Sequence, residues 1–158
     1  MLVVWPDHCI VGTAGHAVVK NISDALQKWS VARSRRVEYV YKGMVNLTEM
    51  YSAVEAEVPI ESDPSTKRNL ELLNLLRNPK RLIVCGQALS HCVKWTVHDI
   101  MSDWLAHHCD PRRMCILEDC TSPVETGDGE FPRQGREFLA KMRDLGVKVT
   151  TSPHAFEE

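Results

Sequence analysis

The sequence predicts an α/β fold in which helices cover both faces of a mostly parallel sheet. Short apolar segments of strand length alternate with segments whose apolar residues recur at helical spacing. This alternation is typical of a parallel sheet packed between layers of helices. In such a fold ligands bind beyond the carboxyl ends of the strands, where Lys42, Gly86 and Asp119 are expected to lie.

The first half of the chain contains few regular elements. Residues 17–35 include a short helical face, and Val37–Tyr41 alternates between apolar and polar residues as a strand does. This strand is expected to end at Lys42. Residues 49–65 are acidic and contain prolines, so they predict an irregular excursion.

Strands and helices alternate regularly in the second half. The predicted elements are a helix over Thr66–Arg77, a strand that starts at Leu82, a helix with Cys92 in its first turn, a strand over Met114–Leu117, a helix over Phe131–Leu145 and a strand over Val147–Thr150. Breaker residues support two of the helix ends. Pro79 follows the first helix and Gly146 follows the last one.

Composition narrows the class of protein. A chain of 158 residues with 44% hydrophobic and 25% charged residues has the size and composition of one globular domain. The 19 basic and 21 acidic residues are scattered, which argues against a nucleic-acid partner. No apolar run approaches the ~18 residues of a membrane helix, and residues 1–5 are too short for a signal peptide. The six cysteines then favour a reduced, cytoplasmic protein.

Cys92 is the strongest candidate for a nucleophile. A cysteine in the first turn of a helix meets unpaired backbone N–H groups and the positive end of the helix dipole, which stabilise a thiolate. On residue type alone a structural cysteine is the commoner interpretation, since free cysteines are usually buried. Cys120 lacks a neighbouring base in the sequence. His91, His98 and the His107-His108 pair have no ligand-spaced partner and are interpreted as structural.

The turn that precedes Cys92 resembles the nucleophile turn of the isochorismatase-like cysteine hydrolases, which include the nicotinamidases. The resemblance rests on the pattern Gly86-x-Ala88-x-x-x-Cys92-Val93 after a buried strand. It implies a three-layer α/β fold and a cis peptide between Gln87 and Ala88. It also implies that the N–H groups of Ala88 and Cys92 form the oxyanion hole.

A second motif strengthens this resemblance. Residues 5–15, Trp-Pro-Asp-His-Cys-Ile-Val-Gly-Thr-Ala-Gly, are similar to the W-P-x-H-C-x-x-G-T-x-G signature of nicotinamidases. The resemblance implies that His8 is a ligand to a divalent metal, zinc or iron, and that Trp5 lines the substrate pocket. A lone histidine without these flanking residues is more often structural.

Two further positions match the family. Lys42-Gly43 matches its K-G pair, whose lysine is the catalytic cation, and Tyr51-Ser52 matches its Y-S segment near the pocket. An ammonium group beside the sulfur would favour the thiolate and help to neutralise a tetrahedral intermediate.

The implied activity is hydrolysis of a small-molecule amide. By resemblance, nicotinamide becomes nicotinate and ammonia through a thioester on Cys92, a step in NAD salvage. The family also has a first strand with an activating aspartate and a second strand with an Asp-x-His metal pair, neither of which occurs in this sequence. We therefore expect residues 1–158 to be a single, N-terminally incomplete isochorismatase-like domain with weak or no activity alone.

A competing interpretation belongs to a different class of protein. The chain would then be a catalytically inactive remnant that acts, if at all, as an interaction module through an exposed sheet edge. Self-association into a homo-oligomer is open under either interpretation.

Overall fold

The structure is a computed structural model that describes residues 2–125 and 127–157. The chain divides into two compact units, Met1–Tyr41 and Lys42–Glu158. The expectation of one incomplete domain over 1–158 stays a prediction. No helix of the described residues is long and apolar enough to cross a membrane.

The first unit contains helix α1 (Lys20–Arg33), which ends at a left-handed Ser34. The chain turns at Gly12, which has φ +87°, and the Thr13 N–H and hydroxyl both donate to the Ile10 carbonyl. The strand predicted over Val37–Tyr41 is wrong, because this segment joins no ladder among the described residues. Alternation favours a strand only where a neighbouring strand offers hydrogen-bonding partners.

The second unit is built on a parallel sheet, as the sequence predicts, and the sheet has three strands among the described residues. They are β1 (Leu82–Val84), β2 (Met114–Leu117) and β3 (Lys148–Thr150), in the order β1-β2-β3. Ile83 pairs with Cys115, and Ile116 pairs with Val149. All four residues of the central strand β2 are buried, which explains its uninterrupted apolar sequence.

In the described part of this unit, three α-helices accompany the sheet. They are α2 (Leu70–Arg77), α3 (Lys94–Ala106) and α4 (Glu130–Asp144). The first of these starts later than the sequence predicts, because Thr66 belongs to a 3-10 turn over Pro64–Thr66. The Asn69 side chain accepts a hydrogen bond from the Leu72 N–H at 2.9 Å and so caps α2.

The main hydrophobic core of this unit joins the three helices to one face of the sheet. Successive side chains along a strand point to opposite faces of the sheet, and the side chains of Leu82 and Val84 pack on the face that meets the helices. The core is composed of residues from all three helices, from the strands and from the turn before α3: Val54, Leu73, Leu89, Val93, Val97, Ile100, Met101, Trp104, Met114, Ile116, Phe138, Leu139, Met142 and Val147. A smaller cluster of Ile83, Cys115, Leu117, Cys120 and Ala155 lies on the other face.

An ion pair ties α2 to α3. Arg77 donates from Nε and Nη2 to the two carboxylate oxygens of Asp103, at 2.6 Å each. The Asp103 side chain is only 5% exposed, so this pair is shielded from solvent. It fixes α2 against the helix that follows the Cys92 turn.

Candidate active site at the turn between β1 and α3

Cys92 lies in a tight connection between β1 and α3. The chain passes Gly86 at φ +124° and makes a cis peptide between Gln87 and Ala88, as the resemblance implies. Residues Leu89–Val93 form a single π-helical turn that leads directly into α3. The strand, turn and helix predicted from the sequence are confirmed, although the regular α-helix starts two residues after Cys92.

The backbone of this turn leaves the Ala88 N–H unused. The Ala88 carbonyl accepts hydrogen bonds from the N–H groups of His91 and Val93, which flank Cys92, at 3.0 Å each. Within residues 2–125 and 127–157 the Ala88 N–H donates to no acceptor. A backbone donor that is not used inside the fold is what an oxyanion hole requires.

The loop after β2 holds this turn in place. The Gly86 N–H donates to the Cys120 carbonyl at 3.0 Å, and the Leu89 N–H donates to the Ser122 carbonyl at 2.8 Å. The Gln87 side-chain oxygen accepts from both the N–H and the hydroxyl of Ser122, at 3.2 and 3.0 Å. Both ends of the turn are therefore positioned by the neighbouring strand rather than by the turn alone.

Aromatic side chains enclose the residue that precedes Cys92. His91 is buried, and its ring meets the rings of Tyr51 and Phe131 edge to face, with centroids 5.4 and 4.5 Å away. Its Nδ1 lies 2.9 Å from the Ser90 hydroxyl. Burial, assisted by the Lys94 ammonium, holds the pKa of His91 below its usual value. His91 is therefore a neutral packing residue at neutral pH.

Glu57 is a half-buried acid that was not identified as a site residue from the sequence. Burial raises its pKa, and Asp99 on α3 raises it further, while a hydrogen bond from the Tyr51 N–H acts in the opposite direction. Its backbone N–H also donates to the Glu49 carbonyl at 2.9 Å. Glu57 thus holds the backbone of Tyr51. Its position within an irregular acidic segment gave no periodic signal that could have identified it.

Lys42 is bonded to Met50, the residue before Tyr51, rather than placed at the end of a strand. Its ammonium donates to the Met50 carbonyl at 2.8 Å, and the side chain is half-buried. The expectation that Lys42 ends a strand is wrong, since Val37–Tyr41 forms none. Downstream, the Ala53 N–H donates to the Thr96 hydroxyl at 3.0 Å, which docks this segment on α3. The structure therefore brings Tyr51 next to the Cys92 turn and ties Lys42 to the preceding residue.

Trp5 and His8 belong to the first unit. The His8 side chain is exposed, and its Nδ1 donates to the Pro6 carbonyl at 2.8 Å. A carbonyl can only accept, so this bond places the ring proton on Nδ1 and the lone pair on Nε2. Metal-binding histidines commonly have this arrangement.

The described residues do not, however, assemble a metal site. Residues 2–125 and 127–157 contain no group of three His, Cys, Asp or Glu side chains placed to hold an ion. A catalytic zinc ion normally has three protein ligands. The donors on the described part of the chain therefore do not fit the divalent metal that the resemblance implies, and no chemical step is assigned to one.

Solved structures of similar fold were found, whereas no protein-family model and no curated protein matches the chain. The yeast nicotinamidase Pnc1p bound to the inhibitor nicotinaldehyde is 21% identical, with a TM-score of 0.60 over 94% of this chain and 58% of that one. PnC1 from L. infantum in complex with nicotinate is 23% identical, with a TM-score of 0.61 over 95% and 62%.

A third solved structure contains a metal. Pyrazinamidase of Pyrococcus horikoshii in complex with zinc is 21% identical, with a TM-score of 0.55 over 94% of this chain and 63% of that one. The chain thus spans about three fifths of the length of each of these proteins. Over that part, it has the isochorismatase-like α/β fold of the nicotinamidases and pyrazinamidases.

Proposed function

We propose that the chain is a nicotinamidase-type cysteine amidohydrolase that converts nicotinamide to nicotinate and ammonia, as a cytoplasmic step of NAD salvage. The single observation that carries this proposal is the turn between β1 and α3. Cys92 lies there four residues after Ala88, and the Ala88 N–H remains unused. The similarity of fold to proteins solved with nicotinaldehyde and nicotinate supports a small pyridine amide as substrate.

In the proposed reaction the Cys92 sulfur attacks the carboxamide carbon. The carbonyl oxygen becomes negatively charged and is held by the N–H groups of Ala88 and Cys92. Collapse of this intermediate breaks the carbon–nitrogen bond, and the thiol proton leaves with the nitrogen as ammonia. The remaining thioester is then cleaved by water, which yields nicotinate and restores the Cys92 thiol.

Four further residues have proposed supporting roles. Lys42 would supply positive charge to the intermediate, since its ammonium is held on the Met50 carbonyl beside Tyr51. Tyr51 would form one wall of the substrate pocket, because it is buried against His91. Trp5 would have the substrate-contacting role that the resemblance implies for it. His8 would offer Nε2 to a metal whose other ligands are not among the described residues.

The test is to measure ammonia and nicotinate released by the purified chain from nicotinamide, with benzamide as the matched substrate. Benzamide has the same carboxamide but no ring nitrogen. We expect slow release from nicotinamide above the rate of the heat-denatured chain, and a lower rate with benzamide. Release equal to that of the denatured chain, with or without added zinc, would contradict the proposal and favour a non-catalytic interaction module.

Replacing Lys42 with methionine is expected to lower kcat about 10- to 100-fold while KM changes little. The side chain keeps its length but loses the charge that stabilises the developing oxyanion. Steady-state kinetics of ammonia release provide the measurement. Lys80→Met is the matched control, because Lys80 is exposed on the segment between α2 and β1. An equal loss in both variants would show that Lys42 has no specific role.

A further inference from the structure

Two cysteines lie at the carboxyl ends of adjacent strands, and the proposed reaction uses neither of them. Cys85 directly follows β1, and Cys120 ends the 3-10 turn over Glu118–Cys120 that follows β2. Cys85 is exposed and Cys120 is half-buried, so small reagents in solution can reach this pair. Both residues are free thiols in the structure.

The backbone brings these two cysteines close together. The Gly86 N–H donates to the Cys120 carbonyl at 3.0 Å, beyond the ladder that ends with Val84 opposite Ile116. The Cα atoms of Cys85 and Cys120 are each two covalent bonds from one end of this hydrogen bond. Disulfides join residues whose Cα atoms are roughly 4.4–6.8 Å apart.

Cys120 and Ile83 both pack against the smaller cluster, and Ile83 lies two residues before Cys85 in the chain. Burial raises the pKa of the Cys120 thiol, and the neighbouring Asp119 and Cys85 raise it further.

We propose that Cys85 and Cys120 form a reversible disulfide when the chain meets a peroxide. In the first step hydrogen peroxide oxidises the exposed Cys85 thiol to a sulfenic acid and is itself reduced to water. The Cys120 sulfur then attacks the Cys85 sulfur. The S–S bond forms as the S–O bond breaks, and the hydroxyl leaves with the Cys120 proton as a second water. A dithiol reductant reverses the reaction by exchange.

The position of this disulfide connects it to the Cys92 turn. The same loop that carries Cys120 accepts the hydrogen bonds of Gly86 and Leu89. A covalent link between Cys85 and Cys120 would therefore fasten the turn to the end of β2. We expect the oxidised chain to unfold at a higher temperature than the reduced chain, because the link restricts the unfolded state.

Peptide mapping after oxidation tests the proposal. The purified chain is treated with one equivalent of hydrogen peroxide, its remaining thiols are alkylated, and it is digested with trypsin. Cleavage after Arg81, Lys94, Arg113 and Arg133 places Cys85 and Cys120 on different peptides, 82–94 and 114–133. We expect these peptides to be linked within a monomer, to separate on reduction, and to weigh two hydrogen atoms less than their sum.

Single variants assign the link, since each peptide contains a second cysteine. Cys85→Ser and Cys120→Ala should abolish the link, whereas Cys92→Ser and Cys115→Ser should retain it. Circular dichroism confirms that each variant is folded before oxidation. A link that survives in folded Cys85→Ser, a link that requires Cys92, or oxidation to sulfinic acid without any link would each overturn the proposal.

Discussion

Replacing Cys92 with alanine is expected to reduce the release of ammonia from nicotinamide at least about 10³-fold, to the background of the assay. Without the sulfur no thioester can form, and the oxyanion donors alone cannot supply a nucleophile. Cys92 is half-buried in the turn before α3, so its loss removes one sulfur atom and leaves the backbone of the turn in place. Ammonia and nicotinate are measured together, because the reaction produces them in equal amounts.

Cys109→Ala is the matched control for this experiment. Cys109 is also a half-buried free thiol, but it follows α3 and lies near the His107 carbonyl instead of the turn. Its replacement should leave the rate within a factor of about two, since one small side chain is lost at a site remote from the chemistry. Activity that persists in Cys92→Ala, or disappears equally in both variants, would remove Cys92 from the proposed mechanism.

An aldehyde probe separates nucleophilicity from turnover. Pyridine-3-carboxaldehyde offers a carbonyl that a thiolate can attack reversibly to give a thiohemiacetal, and no leaving group or hydrolysis step is needed. We expect the chain to bind this aldehyde and Cys92→Ala to lose the binding, as monitored by the absorbance of the aldehyde.

The sequence was most informative where short-range patterns determine structure. Met114–Leu117 is an apolar run that becomes the buried central strand β2, and the periodic apolar residues of 131–145 become α4. Gly86 marks a turn with positive φ that an L-residue rarely adopts. These features depend on residues close together in the chain, so their signals were visible before the fold was known.

Long-range packing was not visible in the same way. His91 was interpreted as structural without a partner, whereas the structure buries it between Tyr51 and Phe131, each 40 residues away along the chain. Val37–Tyr41 alternates as a strand but joins no ladder among the described residues. A strand needs a neighbour and a buried ring needs facing rings, and neither requirement is written in the local sequence.

Replacing Asp103 with asparagine is expected to lower the free energy of unfolding by about 3 kcal/mol at neutral pH. Asp103 is buried, and both of its oxygens accept hydrogen bonds from Arg77 at 2.6 Å. Asparagine keeps the shape but cannot balance the guanidinium charge, so one member of a shielded pair loses its partner. Denaturant unfolding followed by circular dichroism measures the loss. Asp24→Asn is the control, because its pair with Lys20 is exposed and should contribute less than about 0.5 kcal/mol.

The same pair predicts a pH dependence with a defined sign. Hydrogen bonds from the Arg77 side chain hold the pKa of Asp103 below its usual value of 3.8 in the folded chain. As the pH falls, Asp103 is therefore protonated first in the unfolded chain. The stability that the pair provides is complete above the unfolded pKa of Asp103, and it is lost as the pH falls through the folded pKa. The difference in stability between the native chain and Asp103→Asn should accordingly be constant near neutral pH and shrink in strong acid. If this difference in stability stays constant down to the pH at which the chain unfolds, the negative charge of Asp103 is not what stabilises its pair with Arg77.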